Sequence, residues 1–395
     1  MPAGLYISVP FCRTKCSYCN FASEVFSRAV FERYVERVCQ DIAGAEHLAQ
    51  QMGGRFESEV DSIYLGGGTP TTLESGQLRR IFDAARARFC LAPDAEVTVE
   101  CAPGTLSAPI LETLLSCRVN RVSLGVQSFI DQESAAVGRL HKRSTVLDDM
   151  ARLRAAGITN INIDLIAGLP HQTAESWHRS LREAIAAGAP HVSVYMLEVD
   201  DDSRLGRELM AGGTRYHAHF VPDEDASADF YLAACETLNA AGVSQYEISN
   251  FASTGFESRH NLKYWTRQPY FGFGVDAHSM LWSRTAPLVA IRLATADGLD
   301  KYMSGSPLQR TAVSQSAALE ETFFLGLRLN RGVDLTEVAN EFGGAALESL
   351  QATMADLEEQ ALLRRSGHTI SLTDRGRLLS NEVFQSFLTA PTPEV

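Results

Sequence analysis

The sequence predicts an α/β protein: a parallel sheet with helical crossovers, followed by a small helix-rich tail. Three observations predict it. Short apolar runs alternate with longer stretches of helical period, polar and glycine-rich residues fall just after those runs, and the texture changes near residue 310. A sheet of this kind either curls into a barrel or stays open. In both architectures, sites collect at the carboxyl ends of the strands.

The elements follow in order. LYISVP (5–10) reads as a strand. FERYVERVCQDIAGAEHLAQQ (31–51) reads as one helix, with Phe31, Tyr34, Val35, Val38 and Ile42 three or four residues apart. DSIYL (61–65) is a strand that runs straight into GGGTP, and QLRRIFDAARARF (77–89) is a helix. EVTVEC (96–101), RVSLGV (121–126), NINIDLIAGLP (160–170) and HVSVYML (191–197) read as further strands, with AESWHRSLREAIAAG (174–188) as a helix between the last two. VSQYEIS (243–249) looks like one more strand. From about residue 310 the chain is helix-rich, with one short strand signal, HTISLT, before a final helix. That pattern reads as winged-helix-like. The last residues, APTPEV, read as a frayed end.

The 395 residues carry a formal charge of −13, with 45% hydrophobic and 21% charged residues. An acidic surface repels a phosphate backbone, so nucleic acid is not the expected partner and the tail is given a packing or interaction role. No apolar run reaches the ~18 residues a membrane span needs, and nothing before the cysteines reads as a cleavable signal. The expectation is a cytoplasmic protein. The cysteines agree: three are clustered and five scattered, unlike a secreted disulfide framework.

The cluster is CRTKCSYC, with Cys12, Cys16 and Cys19 spaced C-x3-C-x2-C. A structural zinc site closes with four ligands, usually two separated pairs, and no second pair follows here. Three thiolates instead suit a [4Fe–4S] cube with one iron left open. The glycines of GGGTP (66–70), Gly66, Gly67 and Gly68, make either a turn or a place where backbone approaches a ligand closely. Glu100, Gln127, Arg139 and Asp164 stand at or near later strand ends. Each could serve a turn or an ion pair, but together, on successive strand ends of one sheet, they converge.

The cysteine motif, with Tyr18 before its third cysteine, resembles the radical S-adenosylmethionine (SAM) superfamily. The resemblance extends over nearly the whole chain to the branch of oxygen-independent coproporphyrinogen III oxidases and HemW-type heme chaperones. It is carried by YISVPFCRTKCSYCNF, YLGGGTPT, VTVECAPG, RVSLGVQSF, GRLH, INIDLIAGLP, SVYML, GFGVDAHS and LTDRGRLLSNEVF. It implies a partial (β/α)6 TIM-like barrel over residues 1–250, a connecting segment over 251–309 and a C-terminal domain over 310–395. It also implies that Cys12, Cys16 and Cys19 hold a [4Fe–4S] cluster, and that Tyr6, Tyr18, Gly67, Gly68, Thr69, Glu100, Gln127, Arg139 and Asp164 contact SAM.

Two features divide the branch. The oxidases continue the motif to a fourth cysteine two residues on, where this chain has Phe21. HNLKYW (260–265) fits HNxxYW, a motif of the heme chaperones. Under that resemblance His260 would ligate heme iron, Tyr264 and Trp265 would offer aromatic surface, and His278 would be a second ligand or a pocket residue. A capped turn with two aromatic anchors is the plainer reading of the same six residues. GFGVDA mimics half of a dinucleotide fingerprint and is rejected for want of its βαβ context. The resemblance thus implies a heme chaperone carrying a cluster and SAM. The alternative is a coproporphyrinogen III oxidase working through a 5′-deoxyadenosyl radical. Implied partners are heme, a heme-accepting protein such as a respiratory-chain cytochrome, an electron donor, membrane proteins met peripherally, and a second copy of the chain.

Overall fold

The computed structural model describes residues 1–286 and 289–388; APTPEV lies outside the described residues. Six strands form the centre: β1 (Ala3–Val9), β2 (Glu59–Gly67), β3 (Cys90–Cys101), β4 (Arg121–Gln127), β5 (Asn160–Ala167) and β6 (His191–Met196). They pair in parallel in sequential order, with helices over one face. This is the (β/α)6 partial barrel. The long helical stretch 31–51 is two helices, Arg28–Ala43 and Ala45–Gln51, divided at Gly44, a residue that weakens a helix. The first buries Phe31, Tyr34, Val35, Val38 and Ile42, the spaced apolar residues of its stripe.

Each central strand separates its side chains by parity, as the pleat requires. Leu5, Ile7, Val9, Ile63, Leu65, Val97, Val99, Val122, Leu124, Ile161, Ile163, Val192 and Val194 are buried in the main apolar core with the crossover helices. Residues of the opposite parity are polar or small: Tyr6 and Ser8, Ser62 and Tyr64, Glu96, Thr98 and Glu100, Arg121 and Ser123, Asn162 and Asp164, His191 and Ser193. The register sets these side by side, with Tyr6 beside Tyr64, Glu100 beside Ser123, Ser123 beside Asn162, and Asp164 beside Ser193. The barrel therefore has a dry outer layer and a polar inside.

The sheet continues at both edges. VSQYEIS is not a seventh parallel strand. β7 (Ser244–Glu247) and β8 (Asn250–Ala252) form a tight hairpin, with β8 antiparallel to β6. Two residues separate these strands, too few for a parallel crossover. On the other edge β9 (Tyr270–Phe273) joins β1 in parallel. It is followed by β10 (His278–Trp282), β11 (Ala290–Ala294) and β12 (Gln309–Val313), all antiparallel, for twelve strands in one sheet.

The tail packs helices, including Gln315–Gly326, Leu335–Phe342 and Gln351–Glu359, on a three-stranded antiparallel sheet. It has its own apolar core, which includes Phe323, Met354, Ile370, Leu372, Val383 and Phe387. Arg267 enters the seam between tail and barrel. Its guanidinium meets Glu321 and Glu341, both at 3.4 Å, and Arg292 reaches Glu321 at 2.8 Å. Breaking a buried ion pair strands a charge. Glu321→Ala is expected to cost about 3 kcal/mol, at the low end of that range because Arg267 keeps Glu341. Urea unfolding checks this. A loss within error of zero would mean that the seam does not depend on the pair.

Candidate cofactor site

After β1 the chain turns at Pro10 and buries Phe11, whose ring stacks on Phe31 at 3.9 Å. Gly68 N–H donates to the Val9 carbonyl and Thr69 N–H to the Phe11 carbonyl, each at 2.8 Å. The β1–β2 ladder thus continues past both strands into the cysteine loop. The loop closes on itself where Cys12 N–H donates to the Glu24 carbonyl and Glu24 N–H to the Pro10 carbonyl, both at 3.0 Å. A Cβ on Gly68 would stand 2.8–2.9 Å from Val9 and Phe11 backbone atoms. Glycine here lets the two turns touch, a packing role more definite than open approach to a ligand.

Each clustered thiol has its own polar neighbour. Thr69 Oγ1 donates to Cys12 Sγ at 3.8 Å, Arg139 donates to Cys16 Sγ at 3.4 Å, and Ser23 Oγ lies 3.8 Å from Cys19 Sγ. Burial pushes the Cys12 and Cys19 thiols up, and the neighbouring cysteines add to it. Among the described residues no three donors converge as a single metal ion would require. A cube carries one iron per thiolate and so holds its ligands further apart than one ion does. Three thiols, that of Cys16 buried and those of Cys12 and Cys19 half-buried, each with a separate hydrogen-bond donor or hydroxyl, fit that group.

The candidate SAM residues gather on the same face. Gly67, at φ +100°, donates its N–H to Glu100 Oε2 at 3.1 Å, and Tyr64 donates its hydroxyl to Glu100 Oε1 at 2.8 Å. Asp164 accepts from Ser123 at 3.0 Å and from Asn162 at 2.7 Å. Burial, and then the charge of Asp164, pushes Glu100 up to about 7. Burial also raises Asp164. Two desolvated carboxylates in one polar lining favour a cation near them. Gln127 sits in a left-handed conformation, φ +68°, at an irregularity of the β4–β5 ladder. Arg139 donates to the Gly125 carbonyl as well as to Cys16, and its buried Nε has no partner. Tyr18 packs beside Val137, Ile166 and Leu169. The Tyr6 ring lies 6.2 Å from that of Tyr64.

HNLKYW lies beside this pocket, with the His260 ring 5.3 Å from that of Tyr64 and 6.4 Å from that of Tyr6. It forms the helix Arg259–Trp265, whose first N–H groups from Arg259 and His260 donate to Glu96. His260 is 1% exposed. Its Nδ1 bonds Ser62 at 3.0 Å and its Nε2 bonds Tyr264 at 2.8 Å. Burial and the charge of Lys263 pull its pKa to about 3. Both ring nitrogens are hydrogen-bonded and the ring is sealed from solvent, so ligating heme iron would require His260 to give up one of these bonds. Arg328 covers the Trp265 ring at 4.4 Å, and Tyr264 packs on the tail core. The motif therefore forms a capped helix and an anchor. His278 is exposed, 3.9 Å from Asp276.

Three residues went unnoticed in the sequence: Tyr64, Ser123 and Asn162, which hold the two carboxylates in place. Their signal was the alternation of polar and apolar residues within each strand. Asn162 also bonds Ser193 at 3.0 Å and His191 at 2.6 Å, so the polar lining is one connected network.

The family model of the radical SAM superfamily matches residues 6–184, and that of the HemN C-terminal domain matches residues 313–379. The heme chaperone HemW of Bacillus subtilis is 34% identical over 97% of this chain and 98% of its own length. The chain belongs to the HemW family. The heme chaperone HemW of Escherichia coli is 31% identical over 98% of both chains. Among solved structures, coproporphyrinogen III oxidase (HemN) of Escherichia coli shares the fold, with a TM-score of 0.83 at 23% identity. That match covers 98% of this chain and 90% of HemN. No helix among the described residues is long and apolar enough to cross a membrane.

The raised Glu100 carries a pH signature. A carboxyl that is more basic folded than unfolded withdraws stability as pH rises from its ordinary 4.5 to about 7. Ligand-free Glu100→Gln is expected to melt above wild type at pH 8, with the gap closing towards pH 4.5. Thermal melts across that range check it. A gap that widens towards acid would contradict the assignment.

Proposed function

We propose that the protein is a heme chaperone that carries a [4Fe–4S] cluster and SAM and passes heme to an acceptor protein. The observation that carries this reading is full-length similarity to proteins named heme chaperone, joined to the local difference at Phe21. Phe21 stands 62% exposed beside the cysteine loop, where the oxidases continue their motif with a fourth thiol. Cys12, Cys16 and Cys19 would hold the cluster. Tyr6, Tyr18, Gly67, Gly68, Thr69, Glu100, Gln127, Arg139 and Asp164 would surround SAM.

When bound, a cluster of this kind with SAM supplies one-electron chemistry. The chain's own residues would prepare the place. Arg139 balances the charge of the Cys16 thiolate, and Thr69 and Ser23 serve the other two. Glu100 and Asp164 attract the cationic ammonium and sulfonium groups of SAM. Glu100 is charged above about pH 7 and neutral below it, so SAM affinity is expected to be higher at pH 8 than at pH 6. In Glu100→Gln that dependence should flatten. Calorimetric titration at the two pH values checks it, and equal affinities in wild type would argue against a cation beside Glu100.

Anaerobic reconstitution followed by heme titration tests the main reading. Expected are a saturable one-to-one Soret shift and transfer of that heme to an apo-hemoprotein. Cys12→Ala/Cys16→Ala/Cys19→Ala should lose iron and sulfide together. Conversion of coproporphyrinogen III to protoporphyrinogen with SAM and a reductant would overturn the chaperone reading in favour of the oxidase.

A further inference from the structure

The cofactor pocket and the HNLKYW helix meet at one side chain. On β2 the residues Ser62, Tyr64 and Gly66 share a parity and line the barrel in turn. Ser62 bonds His260 Nδ1 at 3.0 Å. The Tyr64 ring stacks on the His260 ring, with centroids 5.3 Å apart and planes inclined by 29°. The Tyr64 hydroxyl donates to Glu100 Oε1 at 2.8 Å. Tyr64 therefore touches both the histidine of HNLKYW and a carboxylate expected to face SAM.

Two glycines clear the space for this chain of contacts. A Cβ on Gly66 would stand 2.8 Å from the Tyr64 ring and 2.9 Å from the Glu100 carboxyl. A Cβ on Gly4 would stand 3.0 Å from Ser62 Oγ and 3.2 Å from the His260 ring. A side chain at Gly66 would push the phenol off the carboxyl, and one at Gly4 would crowd the imidazole. The helix Arg259–Trp265 is itself pinned. Glu96 accepts the Arg259 and His260 amides at 3.0 and 3.2 Å. Lys263 reaches Asp61 at 2.7 Å and the Pro2 carbonyl at 2.9 Å. Movement at His260 is thus left to its ring, which Ser62, Tyr264, Tyr64 and Tyr6 surround. Of these four, Tyr64 is the one bonded to Glu100.

The imidazole has two states. In the held state both nitrogens are bonded, as described above. In the released state one bond is given up, as ligation of iron requires. An ionised carboxylate accepts a hydroxyl more strongly than a neutral one. The cationic groups of SAM favour the ionised form of Glu100. A filled pocket therefore tightens the bond to the Tyr64 hydroxyl, fixes the phenol ring and favours the held state of the imidazole stacked on it. By reciprocity, a released His260 weakens the hold on SAM.

We propose that Tyr64 is a positioning residue that couples the cofactor pocket to His260, so that SAM acts as a signal for heme release. The proposal rests on the SAM and heme readings above and gives SAM a role in handing heme on. SAM in the pocket draws His260 back to Ser62 and Tyr264, away from iron, and the acceptor takes the heme.

Two readouts on the full, reconstituted chain test it. The first needs no heme: hydrogen exchange of the His260 ring N–H, followed by NMR of histidine-labelled protein, with His260→Gln identifying the signal. Saturating SAM is expected to slow this exchange about fivefold in wild type. Tyr64→Phe keeps the ring and removes the hydroxyl, so its exchange should not respond. Ser62→Ala should exchange faster yet still respond, because its bond from Tyr64 to Glu100 is intact. The second readout is transfer of bound heme to an apo-hemoprotein, which SAM should speed about fivefold in wild type and not in Tyr64→Phe. Exchange unmoved by saturating SAM in wild type would overturn the coupling. An equal response in Tyr64→Phe, or a response lost in Ser62→Ala and kept in Tyr64→Phe, would do the same. Exchange that responds while transfer does not would overturn the release signal and leave the heme reading intact. Wild type that binds no heme would overturn that reading and the release signal together.

Discussion

Two backbone hydrogen bonds hold the rest of the site in place: Gly68 to Val9 and Thr69 to Phe11. They extend a parallel ladder beyond its strands and fasten the cysteine loop to the glycine turn. Neither turn could come so close with a side chain at Gly68. Phe11, pinned between Phe31 and Tyr34, fixes the loop from its apolar side. Cys12 therefore leaves a rigid base, and Thr69, at the end of the same contact, reaches its sulfur. The position of the first thiol follows from sheet register rather than from the loop's own preferences.

The second constraint is parity. Apolar side chains on one face of β1–β6 meet the crossover helices and provide most of the burial that stabilises the barrel. The other parity is left for polar groups, and these would be costly inside a protein without partners. Nearly all have them. Ser123, Asn162, Ser193 and His191 form one chain of hydrogen bonds that ends on Asp164. Burial and the charge of Asp164 work against ionisation of Glu100, one of the residues expected to face the cofactor.

Much of this was legible in the sequence because it obeys short periods. The six central strands, the cysteine spacing and the polar residues at strand ends could be read from local patterns, and the structure brings the cysteines and the residues expected to touch SAM to one face. What escaped was non-local. β9 to β12 are short runs, the last of them the mostly polar QRTAV, whose edge pairing depends on partners far away in the chain. HNLKYW carries the residue types of a heme ligand set, yet Ser62 and Tyr264 take both nitrogens of His260. No spacing rule reveals that occupancy. The pairing of His171 with His217 likewise joins residues 46 apart, through two left-handed turns that the sequence does not mark.

The central claim is that three thiolates on a fixed loop leave one iron open to SAM. Electron paramagnetic resonance of the reduced, reconstituted protein, recorded with and without SAM, tests it most directly. The account expects the cluster signal to change shape when SAM is added, because SAM would occupy the site that no thiol fills. An unchanged spectrum at saturating SAM, in protein with a full complement of iron and sulfide, would contradict it.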